Sequence, residues 1–312
     1  MKKEIHTFDE LLSNAQLLQE KKVAVVYANN AETFKAVAET QAQLNVHFIL
    51  SGDRAIIEKG ITEHNGNPET ITIIDSEHPE QALRSLIDLA RDGKADILLK
   101  GSIDTSTMMK EVLRDNGGLK TGRLLSDIFL LEYPHYRENK FVMITDGGMT
   151  LAPDLMNKVE LIRNAVDVAH ALGIDIPKVA VLSATEFVTP KLQSTIDAAA
   201  LTKMNERGQI TGCTVDGPLA LDNALSEEAA QEKGLKSPVA GKAQILIASN
   251  IEAANSLAKS TTYFGNIRLA HVIIGSRVPI LIPSRSDKSD AKVLSIALGM
   301  VMSEFMEKKV IS

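Results

Sequence analysis

Residues 23–51 read VAVVYANNAETFKAVAETQAQLNVHFILS. This stretch is one strand–helix–strand passage. Val23–Ala28 is an apolar run of strand length. Ala31–Leu44 carries Phe34, Val37, Ala38 and Leu44 at helical spacing. Val46–Ser51 is a second apolar run. Apolar strands alternating with amphipathic helices predict a mostly parallel sheet with helices on both faces, an α/β fold. No glycine stands in Tyr27-Ala28-Asn29-Asn30-Ala31 after the first strand. The G-x-G-x-x-G dinucleotide fingerprint is missing there, which speaks against a Rossmann dehydrogenase.

The rhythm continues outward. A short helix is expected at Arg54–Lys59 and a strand at Thr70–Ile74. A helix follows at Pro79–Arg91, with Ala82, Leu83, Leu86, Ile87 and Ala90 on one face. Strand Ile97–Leu99 runs into Lys100-Gly101, and helix Met108–Leu113 follows. Then the pattern changes. Leu124–Glu132 and Lys140–Asp146 are separated by Tyr133–Asn139, which contains Pro134, and read as an antiparallel hairpin. A long helix is expected from about Pro153 to Leu172, with Pro153 near its first position and Gly173 beyond its end. A second series comprises strand Val179–Ser183, helix Pro190–Met204, strands Cys213–Asp216 and Ala243–Ala248, helix Glu252–Thr262 and strand His271–Ile274. Strand Pro279–Pro283 and a helix over about Ser289–Glu307 close the chain. The hairpin is the expected seam. One domain takes 1–124 plus 275–312, and the other takes 125–274. The 312 residues suit two domains at roughly 150 residues each.

Composition narrows the function classes. The chain is 44% hydrophobic and 24% charged, with a net charge of −6. Nucleic-acid binding normally shows a basic face, so no nucleic-acid partner is expected. Aromatic residues make up 4%, without Trp, which disfavours stacking platforms. The one cysteine, Cys213, excludes an intrachain disulfide and a Cys-cluster metal site. It reads as a small buried hydrophobe. Lys2 and Lys3 are followed by Glu4, His6 and Asp9 without an apolar core, unlike a signal peptide. No apolar run approaches the ~20 residues of a membrane helix. The expectation is a cytoplasmic enzyme with a small-molecule substrate and no membrane partner.

Six segments carry residues suited to chemistry, each with a plain structural alternative. Leu98–Thr105 (LLKGSIDT) is a strand end, a Lys-Gly pair and a helix start. Backbone N–H groups and a Lys there can hold an anion, and a capped βα turn is the alternative. Asp146-Gly147-Gly148-Met149 permits close ligand approach or a tight turn. Asp216-Gly217-Pro218 reads as a turn and helix start. Asp216 and Asp222 lack the partners at ligand spacing that a metal needs, so no metal is expected. Ser237–Ala243 and Asn250–Asn255 suit a ligand edge or helix capping. Pro283–Asp290 (PSRSDKSD) crowds hydroxyls, a guanidinium and carboxylates before the last helix. Arg matches phosphate oxygens with a planar fork, and a capped helix start is the alternative. The seven histidines form no metal-ligand pair.

Taken together, these segments resemble the phosphate acetyl/butyryltransferases. The resemblance is carried by Leu99-Lys100-Gly101 with Asp104-Thr105, by Thr121-Gly122-Arg123-Leu124, and by Thr145-Asp146-Gly147-Gly148. It continues in Gln193–Ala198 (QSTIDA), Arg207–Ile210 (RGQI) and Asp216–Ala224 (DGPLALDNA). Val239–Ala243 (VAGKA), Asn250–Asn255 (NIEAAN) and Ser284-Arg285 complete it. The wording NIEAAN and DGPLALDNA resembles the butyryltransferase branch.

The resemblance implies an isocitrate/isopropylmalate-dehydrogenase-like two-domain fold with the active site in the cleft, and a homodimer or larger assembly. It implies reversible transfer of a short-chain acyl group: butyryl-CoA and inorganic phosphate give butyryl phosphate and CoA. No cofactor is implied, since coenzyme A is a substrate. By the same resemblance, Arg285 serves the phosphoryl oxygens and Ser284 the developing oxyanion. The family's base position corresponds to Ala291, so the preceding Asp290 is the candidate base, with Asp287 as the alternative. Lys100, Gly101, Thr105, Asp216, Gly217, Pro218, Asn250, Asn255 and Lys259 are candidate substrate-binding residues. Lys259 matches a family lysine, but Tyr263 stands near the position of a family arginine, so other groups are expected to hold the CoA phosphates. Competing readings are a phosphate acetyltransferase, a non-catalytic acyl-CoA or acyl-phosphate sensor, and a decarboxylating dehydrogenase. One charge feature fits the resemblance. Residues 275–312 carry six Lys/Arg against four Asp/Glu, a net-basic stretch in an acidic chain.

Overall fold

Val23, Ala24, Val25 and Val26 are fully buried at the centre of a parallel sheet. The computed structural model describes residues 4–133, 140–283 and 289–311. Its first half runs α1 (Phe8–Gln16), β1 (Lys21–Val26), α2 (Ala31–Gln41), β2 (Val46–Gly52), α3 (Arg54–Glu63), β3 (Ile71–Asp75), α4 (Pro79–Arg91), β4 (Ile97–Lys100) and α5 (Thr105–Val112). Then come β5 (Ser126–Tyr133), β6 (Lys140–Thr145), α6 (Leu155–Ala171), β7 (Lys178–Leu182), α7 (Gln193–Glu206) and β8 (Thr214–Leu219). The chain ends with α8 (Leu221–Leu225), α9 (Glu227–Glu232), β9 (Ile245–Ile247), α10 (Ile251–Tyr263), β10 (Leu269–Ile274), β11 (Ile280–Leu281) and α11 (Ser289–Ile311). No described helix is long and apolar enough to cross a membrane. The chain divides into two units, Phe8–Arg123 with Ala270–Ser312, and Met1–Thr7 with Leu124–Leu269.

In the first unit the strand order is β3-β2-β1-β4-β11-β10. The pairs β3–β2, β2–β1, β1–β4 and β4–β11 are parallel, and β10 runs antiparallel to β11, with Ile273 opposite Ile280. The period of the apolar positions sets the helix faces. α4 buries Ala82, Leu83, Leu86, Ile87 and Ala90. α11 is apolar nearly all round, as an interior helix must be. It buries Val293, Leu294, Ile296, Ala297, Leu298, Met300, Val301 and Met302, and packs on α1, α2, β4 and β11. The expected strand Pro279–Pro283 is only Ile280–Leu281. Proline at either end has no N–H to give a ladder.

The second unit has the order β5-β6-β9-β7-β8. β5 and β6 form the predicted antiparallel hairpin, with Phe129 opposite Ile144, and the remaining pairs are parallel. Two local readings are corrected. Pro153 is not at the first position of α6. Asp154 caps the helix, accepting the Asn157 N–H, while the Asn157 side chain accepts from the Asp154 N–H. This reciprocal cap satisfies two otherwise unpaired donors and so places the helix start. Gly217-Pro218 is not a turn but part of β8. β8 is the end strand of this order, and its register with β7 shifts between Asp216 and Leu219, so the proline falls at an irregularity of the ladder. A Cβ on Gly217 would stand 2.7 Å from the Val181 carbonyl oxygen, so only glycine lets β8 lie this close to β7.

Candidate active site

In the first unit β1, β4 and β11 run parallel, so their carboxyl ends share one edge. Ligands of open α/β sheets bind at that edge. Lys100 closes β4, and Gly101 crosses to the end of β1. The Gly101 N–H donates to the Val26 carbonyl at 3.0 Å, and the Ser102 N–H to that of Tyr27 at 2.9 Å. A Cβ on Gly101 would lie 2.3 Å from the Val26 oxygen. Gly101→Ala is therefore expected to push the β4 end away from β1 and to lower both anion affinity at this edge and the urea midpoint. Unchanged values of both would show that the loop absorbs a methyl group.

Helix α2 opens beside this crossing. Asn30 caps it, accepting the Thr33 N–H at 2.9 Å, and its amide donates to the Ser102 hydroxyl. A pocket of about 520 Å³ lies here, lined by Asn30 to Thr33, Ala36, Leu99 to Ser102, Pro283 and Lys292. The Lys100 ammonium donates to the Ile103 carbonyl at 3.1 Å. Lys292, on α11 and nearly buried, stands 3.5 Å from a Glu32 carboxylate oxygen. Two ammonium groups and the N-terminus of α2 make the pocket receptive to an oxyanion. Pro283 leads directly into Ser284-Arg285, which lie outside the described residues, as does Asp287.

The structure thus brings Lys100 and Gly101 together with Lys292, which sequence reading had not singled out. Its only signal was its place in the net-basic C-terminal stretch. Thr105 and Asp290 are exposed and are not among the described residues lining this pocket. Thr105 opens α5. Asp290 lies in the first turn of α11, and its carboxylate accepts the Ala291 N–H at 2.9 Å.

The other candidates belong to the second unit. Asp146 follows β6 in a buried position and accepts N–H bonds from Asp127, Gly148, Met149 and Thr150 at 2.8–3.1 Å. Burial holds its pKa above the usual carboxylate value, against the pull of these donors. A Cβ on Gly147 would meet the Phe129 ring at 2.4 Å, and one on Gly148 would meet Asp127 at 2.6 Å. The paired glycines therefore serve the tight turn in the structure. Asn255 donates to the Gly147 carbonyl at 2.9 Å, and Asn250 caps α10 by accepting the Ala253 N–H. Lys259 is exposed on α10. Asp216 accepts the Gly217 N–H, whereas Asp222 stands 3.6 Å from Lys233, so the two carboxylates have different partners. No group of three or more His, Cys, Asp or Glu among the described residues could hold a metal ion. Burial pushes the Cys213 thiol up to about 11, so it stays protonated at neutral pH and is no nucleophile.

Fold and pocket together define an α/β protein with an oxyanion-receptive site at the carboxyl edge of a parallel sheet. Residues 80–300 match the family model described as phosphate acetyl/butaryl transferase, and the chain belongs to that family. It is 41% identical to the phosphate butyryltransferase of Clostridium beijerinckii, over 95% of this chain and 97% of that one. It is 42% identical to the phosphate acetyltransferase of Thermotoga maritima, over 91% and 95%. Among solved structures it is similar to a branched-chain phosphotransacylase from Enterococcus faecalis, with a TM-score of 0.80 and 32% identity over 91% of this chain and 99% of that one. The chain is an enzyme that transfers an acyl group reversibly between coenzyme A and phosphate.

Proposed function

We propose that the preferred acyl group is a short four-carbon chain, so that butyryl-CoA and inorganic phosphate give butyryl phosphate and CoA. The observation that carries this reading is the pocket joining Lys100, Gly101 and Lys292 where Pro283 enters Ser284-Arg285, in a chain 41% identical to a phosphate butyryltransferase. Arg285 and the pocket cations hold the phosphoryl oxygens, and Ser284 donates to the carbonyl oxygen as it gains charge. From acyl phosphate, the CoA thiol loses its proton to Asp290. The sulfur attacks the carbonyl carbon, the C–S bond forms, and the C–O bond to phosphate breaks. Asp216, Gly217, Pro218, Asn250, Asn255, Lys259 and Thr105 are assigned to CoA and the acyl chain. The enzyme acts as a cytoplasmic homodimer or larger homo-oligomer and needs no cofactor beyond its substrate CoA.

A second reading, phosphate acetyltransferase, is favoured by the 42% identity to the Thermotoga maritima enzyme. Initial rates with acetyl-, propionyl-, butyryl- and isobutyryl-CoA plus phosphate separate the two. Butyryl-CoA is expected to exceed acetyl-CoA in kcat/KM by about tenfold or more, the scale of a few methylenes in an apolar pocket. A preference for acetyl-CoA establishes the second reading, and no phosphate-dependent CoA release from any of the four rejects both.

Asp290→Asn is expected to lower kcat from acyl phosphate by about 10²-fold, in line with loss of a general base. Asp287→Asn is expected to leave kcat nearly unchanged. The opposite pattern moves the base to Asp287.

A further inference from the structure

The second unit has another pocket, of about 820 Å³, at the end of its strands opposite Asp146 and Asn250. β6 begins at Lys140, β7 begins at Lys178, and Gln244 stands immediately before β9. β9 pairs in parallel with both β6 and β7, so these starts share one edge. Lys242 joins them, and Glu4, His6, Asp175 and Glu227 complete the charged lining.

The carboxylates do not neutralise this cluster evenly. Glu227 stands 3.5 Å from the Lys242 ammonium, and Glu4 stands 3.9 Å from the His6 ring. Asp175 is exposed. Lys178 is half-buried and has no ion-pair partner among the described residues. Its burial first, and then the nearby Lys242 and Lys140 charges, hold its pKa below the usual lysine value, with Glu227 opposing. Like charges are thus gathered around a partly desolvated ammonium, an arrangement that a bound anion relieves. The Lys178 N–H donates to the Gln244 side-chain oxygen at 3.2 Å. That bond turns the amide so that its NH₂, a donor, is the end left for a ligand.

We propose that this pocket binds a diphosphate group, free or carried by a nucleotide, through Lys178, Lys140, Lys242 and the Gln244 amide, apart from the acyl-transfer residues. Ammonium–phosphate bonds are charge-assisted, so each contributing lysine carries a substantial share of the affinity. The proposal does not depend on the acyl preference of the enzyme.

The test is calorimetric titration of the full chain with pyrophosphate and, separately, with ADP. Wild-type protein is expected to bind pyrophosphate, with Lys178→Gln weakening it by about tenfold or more. Lys178→Gln is expected to keep wild-type circular dichroism and kcat. Arg285→Ala is expected to keep the pyrophosphate affinity, which separates this site from the catalytic one. Binding of both ligands supports the proposal with a nucleotide source, and binding of pyrophosphate alone supports it with an inorganic source. Binding of ADP alone, affinity unchanged by Lys178→Gln, loss of binding in Arg285→Ala, or no binding at millimolar concentration each overturns it.

Discussion

Arg285→Ala is expected to lower kcat by about 10²- to 10³-fold, the scale of losing a donor aimed at developing charge. The chain carries a net charge of −6, and an incoming phosphate must be held against that field. The net-basic stretch 275–312 answers it locally. Pro283 lines the pocket that Lys100 and Lys292 also line, and Arg285 follows two residues later. With Arg285 gone, those two lysines and the α2 N-terminus still attract phosphate, so KM for phosphate should rise less than kcat falls. Arg285→Lys is expected to recover only part of the loss, because an ammonium lacks the bidentate fork. Steady-state rates with butyryl-CoA and varied phosphate read this directly. Rates within twofold of wild type would remove Arg285 from the mechanism.

The largest expected effect on stability is at Lys158 in the second unit. Its ammonium stands 2.5 Å from an Asp197 carboxylate oxygen, joining α6 to α7, with both side chains less than a tenth exposed. The Gln193 amide donates to the other Asp197 oxygen at 2.8 Å. Lys158→Met removes the cation and leaves a buried carboxylate with one neutral donor. Breaking a buried pair this way costs about 3–5 kcal/mol. The double variant Lys158→Met with Asp197→Leu removes the stranded charge as well and is expected to recover most of that loss. Urea unfolding of both variants measures it. A single-variant loss below about 1 kcal/mol would show that water reaches Asp197.

Much of the architecture was legible in local pattern. The run Val23–Val26, the α4 face and the β5–β6 hairpin follow from periodicity and turn residues acting within a few positions. The order of short motifs from Lys100 to Arg285 was enough to place the family. Local signals misled where a residue's role depends on its neighbours in space. Gly217-Pro218 has the composition of a turn, yet an end strand tolerates it at a point where the register with β7 is already irregular. Gly147 and Gly148 read equally as a ligand loop, until Phe129 and Asp127 are seen to occupy the space that side chains would need. Lys292 carries no motif at all.

The sequence by itself determined the alternating strands and helices, the hairpin and the acyl-transfer family, because apolar period and motif order are written along the chain. Only the tertiary structure decided which strand ends adjoin. The order β3-β2-β1-β4-β11-β10 brings Lys100 beside Lys292, and the parallel pairing of β6, β9 and β7 gathers Lys140, Lys178 and Lys242. Parallel strands are joined by long crossovers, so each of these clusters is assembled from residues far apart in the chain, and no local spacing records it.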